Sequence, residues 1–390
     1  MIRVAVLAVL AVALAELALR AVGYSSPVWY QPDPELGWTL RPGVSGWFTR
    51  EGRTFVRINS AGQRDREHAL AKPADAYRIA VLGDASSEAM QVEMQRTYWA
   101  QLPERLESCG FQRGKRIEVL NFGVRDYGTG QALLMLKTRA LRYRPDMVLL
   151  QTSIGNDVRD NSFALDQIKR RPFFRLDANG ALRLDDSFAT GAAYGGQAAR
   201  GRELLRELTN ESRVLQLARG LRQLRLLQPA QASANGNIAG LEVETLTPPR
   251  DARWEEAWRI TEALIARIAE VASRNGASLA LVTVPFALDA HPDAALREAL
   301  QRKLGVADLS YPERRVAAFA ASKGIPAIVL GPQMQARAAA SGSYLYGAEN
   351  AKIGFFHWNE LGHDAAADII GRRLCALASS RAFSAGTNGL

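Results

Sequence analysis

The sequence contains few of the residues that build metal sites and disulfide scaffolds. Its 390 residues include only 2 cysteines and 4 histidines. Two cysteines exclude a disulfide-stabilised scaffold and a zinc ribbon, and no spacing of histidines and carboxylates forms a metal-ligand set. No Gly-x-Gly-x-x-Gly sequence follows the first strand pattern, which argues against a nucleotide-binding domain. The sequence therefore predicts neither a metal site nor a cofactor.

The overall composition is that of a globular chain. Hydrophobic residues make up 47% and charged residues 23% of the sequence, which is enough to bury a large core. The formal net charge is +9, but the basic residues are spread along the chain without an arginine-rich tail or a nucleic-acid motif. We therefore expect no nucleic-acid partner. A distributed positive charge suits an anionic membrane or an acidic polysaccharide.

The N-terminus is apolar. Residues 4–15 form an uninterrupted apolar run, which continues to residue 22 with Glu16 and Arg20 as interruptions. This length is about enough to cross a hydrocarbon core of roughly 30 Å, and the two charged residues have the i, i+4 spacing of a helical ion pair. We predict an uncleaved signal anchor over residues 1–23, with the body in the periplasm or outside the cell. The alternative is cleavage near the Ala-Leu-Ala sequence at residues 13–15.

The body begins with a small preamble. Residues 28–75 have the short strand and turn patterns of a β-rich segment, and they contain 3 of the 7 tryptophans, Trp29, Trp38 and Trp47. We expect these rings to pack the preamble against the main domain; a sugar-stacking platform is the alternative interpretation.

The main domain is predicted at residues 76–160 and 251–378, where strand and helix patterns alternate. The apolar runs that predict strands lie at residues 78–82, 117–120, 147–150, 279–284 and 327–330. The patterns that predict helices lie at residues 97–108, 129–143, 254–273, 312–322 and 360–377. This alternation predicts a parallel sheet with helices on both faces.

A helical insertion is predicted at residues 161–250. Its main helical pattern, at residues 200–227, contains seven arginines and three glutamates. Such a helix either lies on a membrane or exposes a solvated face. We expect a mobile loop at residues 228–237 and a disordered tail at residues 379–390.

Four short polar segments predict the functional site. They lie at residues 83–87, 121–123 and 155–157, each at the end of a predicted strand, and at residues 357–363, before the last helix. Because ligands bind beyond the carboxyl ends of the strands in an open parallel sheet, we expect these segments to converge on one crevice.

In these four segments the sequence resembles the SGNH/GDSL hydrolase family, over about residues 77–375, and within it an envelope-anchored bacterial branch. The resemblance implies a three-layer α/β/α flavodoxin-like fold with a parallel five-stranded sheet. It also implies hydrolysis or transfer of acyl esters carried by a small molecule or a glycan, such as the O-acetyl groups of a cell-envelope polysaccharide.

The resemblance also implies roles for individual residues. Ala85 occupies the nucleophile position and His357 that of the base. The Gly123 backbone N–H and the Asn156 side chain would form the oxyanion hole. His363 is interpreted as a packing or capping residue. Three further residues of the same segments are predicted to support the site: Asp84, Asp157 and Asn359.

The sequence departs from the family pattern in two places. Ala85 has no nucleophilic atom, and the aspartate expected two or three residues before His357 is absent. The alternatives at the first position are Ser86 as nucleophile, a deliberate serine-to-alanine substitution, or a naturally silent site. For the acid, the nearest candidates by motif are Asp157 and Glu349. A catalytically silent glycan-binding or polysaccharide-assembly protein is therefore the second functional hypothesis.

The two cysteines lie near the ends of two predicted helices. Cys109 ends the first helix of the sheet domain and Cys375 is near the end of the last. An exported protein would oxidise the pair if the two helices are neighbours; two free buried thiols are the alternative.

Overall fold

The computed structural model describes residues 1–166, 168–191, 194–226 and 243–379. The loop predicted at residues 228–237 lies outside the described residues, as does the predicted tail beyond residue 379.

The strands follow the predicted apolar runs and add short hairpins around them. They are β1 (Tyr30–Asp33), β2 (Gly37–Leu40), β3 (Ser45–Phe48), β4 (Thr54–Arg57), β5 (Ala76–Leu82), β6 (Arg116–Asn121), β7 (Met147–Ser153), β8 (Phe173–Leu176), β9 (Leu182–Asp185), β10 (Ser278–Val284) and β11 (Ala327–Val329).

The α-helices of the described residues vary from one turn to more than five. They are α1 (Ile2–Ala21), α2 (Ala85–Glu88), α3 (Tyr98–Ser108), α4 (Thr129–Thr138), α5 (Ile154–Asp160), α6 (Gly196–Glu211), α7 (Arg213–Leu226), α8 (Ala252–Arg274), α9 (Ala294–Leu304), α10 (Tyr311–Ser322), α11 (Gly331–Ser341) and α12 (Glu360–Ser379).

The central sheet has five strands in the order β6-β5-β7-β10-β11, and every neighbouring pair is parallel. In chain order this is 2-1-3-4-5, the flavodoxin-like order of a doubly wound sheet. All seven residues of β5 are buried, as expected for a strand covered by helices on both faces. The predicted three-layer α/β/α architecture is confirmed.

The two faces of the sheet carry separate cores. One core contains α4 and α8, with Leu133 and Trp258 among its fully or nearly fully buried residues. The other contains α3 and α12, with Trp99 and Ile370. The sheet is therefore held between two helical layers, and its carboxyl edge is left to the loops that follow the strands.

The preamble forms two hairpins, β1–β2 and β3–β4. Leu40, Val56 and Ile58 of the preamble pack with Met90 of the main domain in a small core of their own. The Trp38 indole N–H donates to the Arg125 carbonyl oxygen at 3.0 Å, so this ring also joins the preamble to the sheet domain.

Helix α1 contacts the insertion through its two charged residues. The Arg20 Nε donates to Glu16 Oε1 at 2.8 Å, which is the predicted i, i+4 pair. The Glu16 carboxylate also accepts the backbone N–H groups of Arg213 and Val214, both at 3.0 Å. Glu16 thus caps the first turn of α7. Most apolar residues of α1 are exposed, and none of the helix is fully buried.

The two cysteines form a disulfide. The Cα atoms of Cys109 and Cys375 are 6.2 Å apart, and the bond joins the end of α3 to α12, which pack against each other. Of the two alternatives left open by the sequence, the structure has the oxidised pair.

Candidate active site

The turn after β5 places position 85 at the carboxyl edge of the sheet. Asp84 caps the one-turn helix α2 and accepts the Ser86 backbone N–H at 2.9 Å. Ala85 is the first residue of α2, and its side chain lines a cavity of about 340 Å³. Ser86, Asn156 and His357 line the same cavity. The structure therefore brings together residues from three of the four polar segments.

The neighbouring serines have different environments. Ser86 is almost fully buried but contributes to the cavity wall. The Ser87 hydroxyl lies within hydrogen-bond distance of the Tyr98 hydroxyl, at 2.7 Å, and of Gln151 Oε1, at 2.9 Å. Ser87 is therefore a core residue, whereas Ser86 borders the site.

His357 has a carboxylate partner that the sequence motif does not contain. The His357 Nδ1 is 2.6 Å from Glu51 Oε2, and the His357 backbone N–H donates to Glu51 Oε1 at 3.1 Å. Because an ionised carboxylate can only accept hydrogen bonds, the Nδ1 atom of His357 carries the proton when the imidazole is neutral. Nε2 is then the basic nitrogen, and it has no hydrogen-bond partner among the described residues.

The surroundings of His357 favour its protonated form. Desolvation lowers the pKa of the imidazole, but the hydrogen bond and the negative charge of Glu51 outweigh desolvation and raise the pKa of His357 above its usual value. The carboxylate thus fixes the ring and stabilises an imidazolium, which are the two functions of the acid in a Ser-His-acid triad.

Glu51 lies at the tip of the β3–β4 hairpin, 306 residues before His357. Asn350, in the loop before His357, fastens this tip. Its Oδ1 accepts the Gly52 N–H at 2.7 Å, and its Nδ2 donates to the carbonyl oxygens of Thr49 and Gly52 at 3.1 and 2.9 Å. The loop that carries His357 therefore also positions the Glu51 carboxylate.

Sequence reasoning missed Glu51 because it looked for the acid near the histidine. Neither of its two candidates has that role. Asp157 is buried in α5, where the Thr129 hydroxyl donates to it at 3.3 Å, and burial raises its pKa well above the usual range. Glu349 is exposed. The only sequence feature that could have indicated Glu51 was its place beside Gly52 at a predicted turn, and such charged turn residues are common on protein surfaces.

Two donors border the cavity where an oxyanion would form. Asn156 in α5 lines the cavity, and its amide makes only a long contact of 3.4 Å to Asp160. The backbone N–H of Ala85, at the first position of α2, has no acceptor within the described part of the chain, as is usual for the first N–H groups of a helix.

The structure does not bring Gly123 into this group. Its backbone N–H donates to Asn121 Oδ1 at 3.0 Å, and the residue lines a different cavity of about 210 Å³. An added Cβ at Gly123 would lie 2.4 Å from the Ser87 Cβ. The glycine is therefore required for close packing beneath α2, and its N–H is already occupied.

The remaining residues of the last segment support the helix that follows. Asn359 Oδ1 accepts the Gly362 N–H at 3.0 Å at the start of α12. His363 is completely buried and stacks on Tyr98, with ring centroids 6.1 Å apart. Burial lowers the pKa of His363 to about 3. Its interpretation as a packing residue agrees with this environment.

The cavity lining contains both apolar and charged residues. Phe286, Phe355 and Phe356 are among the apolar residues, and Arg125 and Arg159 are among the charged ones. Within the described ranges no group of three or more histidine, cysteine or carboxylate side chains is arranged to hold a metal.

Comparisons with known proteins find similarity in structure alone. No family model and no curated protein matches the sequence. Among solved structures, the acetyl xylan esterase AlAXEase is 12% identical, with 75% of this chain and 97% of that chain covered and a TM-score of 0.38. A catalytic mutant of Axe2, an acetylxylan esterase from Geobacillus stearothermophilus, is 12% identical, with 78% and 96% covered and a TM-score of 0.39.

A third similar structure is a GDSL-like lipase from Bacteroides thetaiotaomicron, which is 14% identical, with 76% of this chain and 87% of that chain covered and a TM-score of 0.31. Similarity at this level establishes neither the activity nor the substrate of this chain.

Proposed function

We propose that this chain has an SGNH/GDSL-type serine esterase or acyltransferase site whose nucleophile position holds alanine. The observation that carries the proposal is the pairing of His357 with Glu51 at one cavity that also contains position 85 and Asn156. A base oriented by a carboxylate, at one cavity with the Asn156 amide and a nucleophile position that holds alanine, matches the needs of acyl transfer.

In a chain with serine at position 85, each residue of the site has a defined role. The hydroxyl oxygen at position 85 attacks the carbonyl carbon of the ester while His357 Nε2 takes its proton. The Asn156 amide and the backbone N–H of position 85 stabilise the negative oxygen of the tetrahedral intermediate. The intermediate collapses with loss of the alcohol, which receives the proton from the imidazolium. Water then releases the acid by the same steps, or a second alcohol accepts the acyl group.

The substrate we propose is an O-acylated glycan of the cell envelope. Phe286, Phe355 and Phe356 in the cavity lining suit a small acyl group, and the polar residues of the same lining suit a sugar. The disulfide between Cys109 and Cys375 supports an oxidising, extracytoplasmic location of the body.

The N-terminal helix supports membrane attachment. α1 is the one helix in the described part of the chain that is long and apolar enough to span a membrane. We propose that it remains attached as an anchor rather than being removed as a signal peptide. The contacts of Glu16 with the start of α7 support this view, because they join the end of α1 to the insertion.

The decisive test is Ala85→Ser in the full chain, assayed with p-nitrophenyl acetate and acetylated glycans. We expect turnover to rise roughly a thousandfold or more over the alanine form, because a triad works as a unit and is silent without its nucleophile. Ala85→Ser combined with His357→Ala is the matched control and should remain inactive. No gain in the serine form, with the fold intact, contradicts an esterase scaffold.

Ala85 itself favours a second candidate function, a silent glycan-binding or polysaccharide-assembly protein that retains the site architecture. In this role the alanine chain should bind acylated glycans without hydrolysing them, and Ala85→Ser should add no turnover. The same pair of variants therefore separates the two functions.

A further inference from the structure

A second cavity adjoins the candidate active site. It has a volume of about 430 Å³ and lies between the preamble, the loop after β6 and the insertion. Arg125 and Asp126 line both this cavity and the active-site cavity. We call the second cavity the arginine cleft.

The cleft has an excess of positive charge. Four arginines line it against one carboxylate, that of Asp126: Arg50, Arg125, Arg170 and Arg206. Arg125 is paired with Asp126 at 3.3 Å, and Arg206 is paired with Glu203 at 3.0 Å. Arg50 and Arg170 are exposed and have no ion-pair partner among the described residues. Two guanidinium groups are therefore available to an anionic ligand.

The effect of this charge is visible on a neighbouring residue. Arg219 of α7 is partly buried, and burial lowers its pKa; the positive charges of Arg50 and Arg206 lower it further. Like charges gathered from the preamble and from two helices of the insertion destabilise one another. Such a cluster is stabilised when an anion binds between its members.

Aromatic rings lie beside the free arginines. Trp38 and Tyr194 line the cleft. The Trp38 ring is fixed by its N–H donated to the Arg125 carbonyl oxygen at 3.0 Å, and the Tyr194 hydroxyl lies 2.9 Å from the Gly37 carbonyl oxygen. Rings held in this way offer rigid apolar surfaces, against which the C–H faces of sugar rings can pack.

We propose that the arginine cleft binds an acidic polysaccharide, with the carboxylates of its sugars on Arg50 and Arg170 and a sugar ring against Trp38. The inference rests on the proposed function, because the cleft borders the active-site cavity at Arg125 and Asp126, and it deepens that function by defining the substrate as an anionic glycan. Guanidinium groups bind carboxylates through paired hydrogen bonds. A glycan is favoured over a lipid headgroup because the cleft combines these charges with fixed aromatic rings and borders the site.

The test measures binding and requires no turnover. The full chain, as it stands with alanine at position 85 and in zwitterionic detergent, is titrated calorimetrically with hexagalacturonate and with neutral maltohexaose. We expect hexagalacturonate to bind at least about tenfold more tightly, with an affinity that falls as salt is added. The double variant Arg50→Gln/Arg170→Gln should lose about tenfold of that affinity.

Arg373→Gln is the matched control. Arg373 is an exposed arginine of α12 without an ion-pair partner among the described residues, and its loss removes one charge far from the cleft. The affinity of the Arg373→Gln variant for hexagalacturonate should equal that of the parent chain. Thermal unfolding of each variant establishes that the fold is retained.

Three results overturn the proposal. The first is equal affinity for the acidic and neutral hexamers, and the second is an equal loss of affinity in Arg373→Gln and in the cleft variant. The third is tighter, Arg50- and Arg170-dependent binding of soluble dihexanoyl phosphatidylglycerol, which would identify a lipid-headgroup site. Failure of Ala85→Ser to gain activity, with acidic glycan binding intact, contradicts the esterase function and leaves the cleft assignment standing.

Discussion

Glu51 and His357 form a hydrogen-bonded pair across 306 residues of sequence, with Glu51 Oε2 and His357 Nδ1 2.6 Å apart. The carboxylate comes from a hairpin outside the sheet domain and the imidazole from the loop before the last helix. Completion of the site therefore depends on how the preamble docks on the sheet domain. In the proposed mechanism Glu51 is a positioning residue that acts through the imidazole.

The first prediction concerns the rate effect of Glu51. In the Ala85→Ser chain, Glu51→Gln should lower kcat by about 10²–10⁴-fold, because the amide no longer stabilises the imidazolium or selects its tautomer. KM for p-nitrophenyl acetate should change little. Glu349→Gln is the control, since Glu349 is an exposed glutamate of the loop that carries His357. Equal kinetics of the two variants would remove Glu51 from the mechanism.

The second prediction concerns pH. The base must be neutral to act, so kcat/KM rises with pH through the pKa of His357 in the free enzyme. Glu51 raises that pKa, and its neutralisation by Glu51→Gln should move the acidic limb of the profile to lower pH. A pH series on both forms measures the shift. A limb that stays in place or moves to higher pH contradicts the pairing in solution.

The third prediction concerns Asn350, which fastens the hairpin tip. Asn350→Ala removes its three hydrogen bonds to the backbone of Thr49 and Gly52. Because small misplacements of catalytic groups are costly, kcat in the Ala85→Ser chain should fall about tenfold or more while Tm changes by only a few degrees. Asn179→Ala, at an exposed turn, should leave both quantities unchanged. Full activity of the Asn350 variant would show that the tip needs no such anchor.

The fourth prediction concerns Ser86. Successive side chains on a helix differ in direction by about 100°, so we expect that Ser86 does not replace a nucleophile at position 85. Ser86→Ala should leave the turnover of the Ala85→Ser chain within about twofold, because its hydroxyl takes no part in the proposed steps. Esterase activity in the alanine chain that disappears with Ser86→Ala would instead identify Ser86 as the nucleophile.

The fifth prediction concerns the disulfide. Cys109→Ser combined with Cys375→Ser should lower the free energy of unfolding by roughly 2–5 kcal/mol, because the bond constrains the unfolded chain. Urea unfolding of the variant and of the reduced parent chain should give similar midpoints. Oxidised and reduced parent chains with the same midpoint would show that the bond adds no stability.

The strands themselves and the edge of the sheet that carries the predicted site follow from local patterns. Apolar runs such as residues 147–150 form buried strands because a strand covered on both faces excludes polar side chains. The turn at Asp84 and Ala85 lies at the carboxyl edge because every parallel strand ends there. Asn156 could be assigned to the same crevice for this reason, and His357 because its loop precedes the last helix of the same domain.

The partners of these residues depend on contacts between distant segments. The sequence of the preamble predicts only short strands and turns. The residues around Glu51 do not indicate that its hairpin docks against the loop of His357. Gly123 has the expected place in sequence, but close packing against Ser87 and the Asn121 side chain determines where its N–H points. Local sequence determines the strands and the turns at their ends. The docking of the β3–β4 hairpin on the sheet domain determines which carboxylate hydrogen-bonds to His357, because contacts between side chains 306 residues apart arise only from tertiary packing.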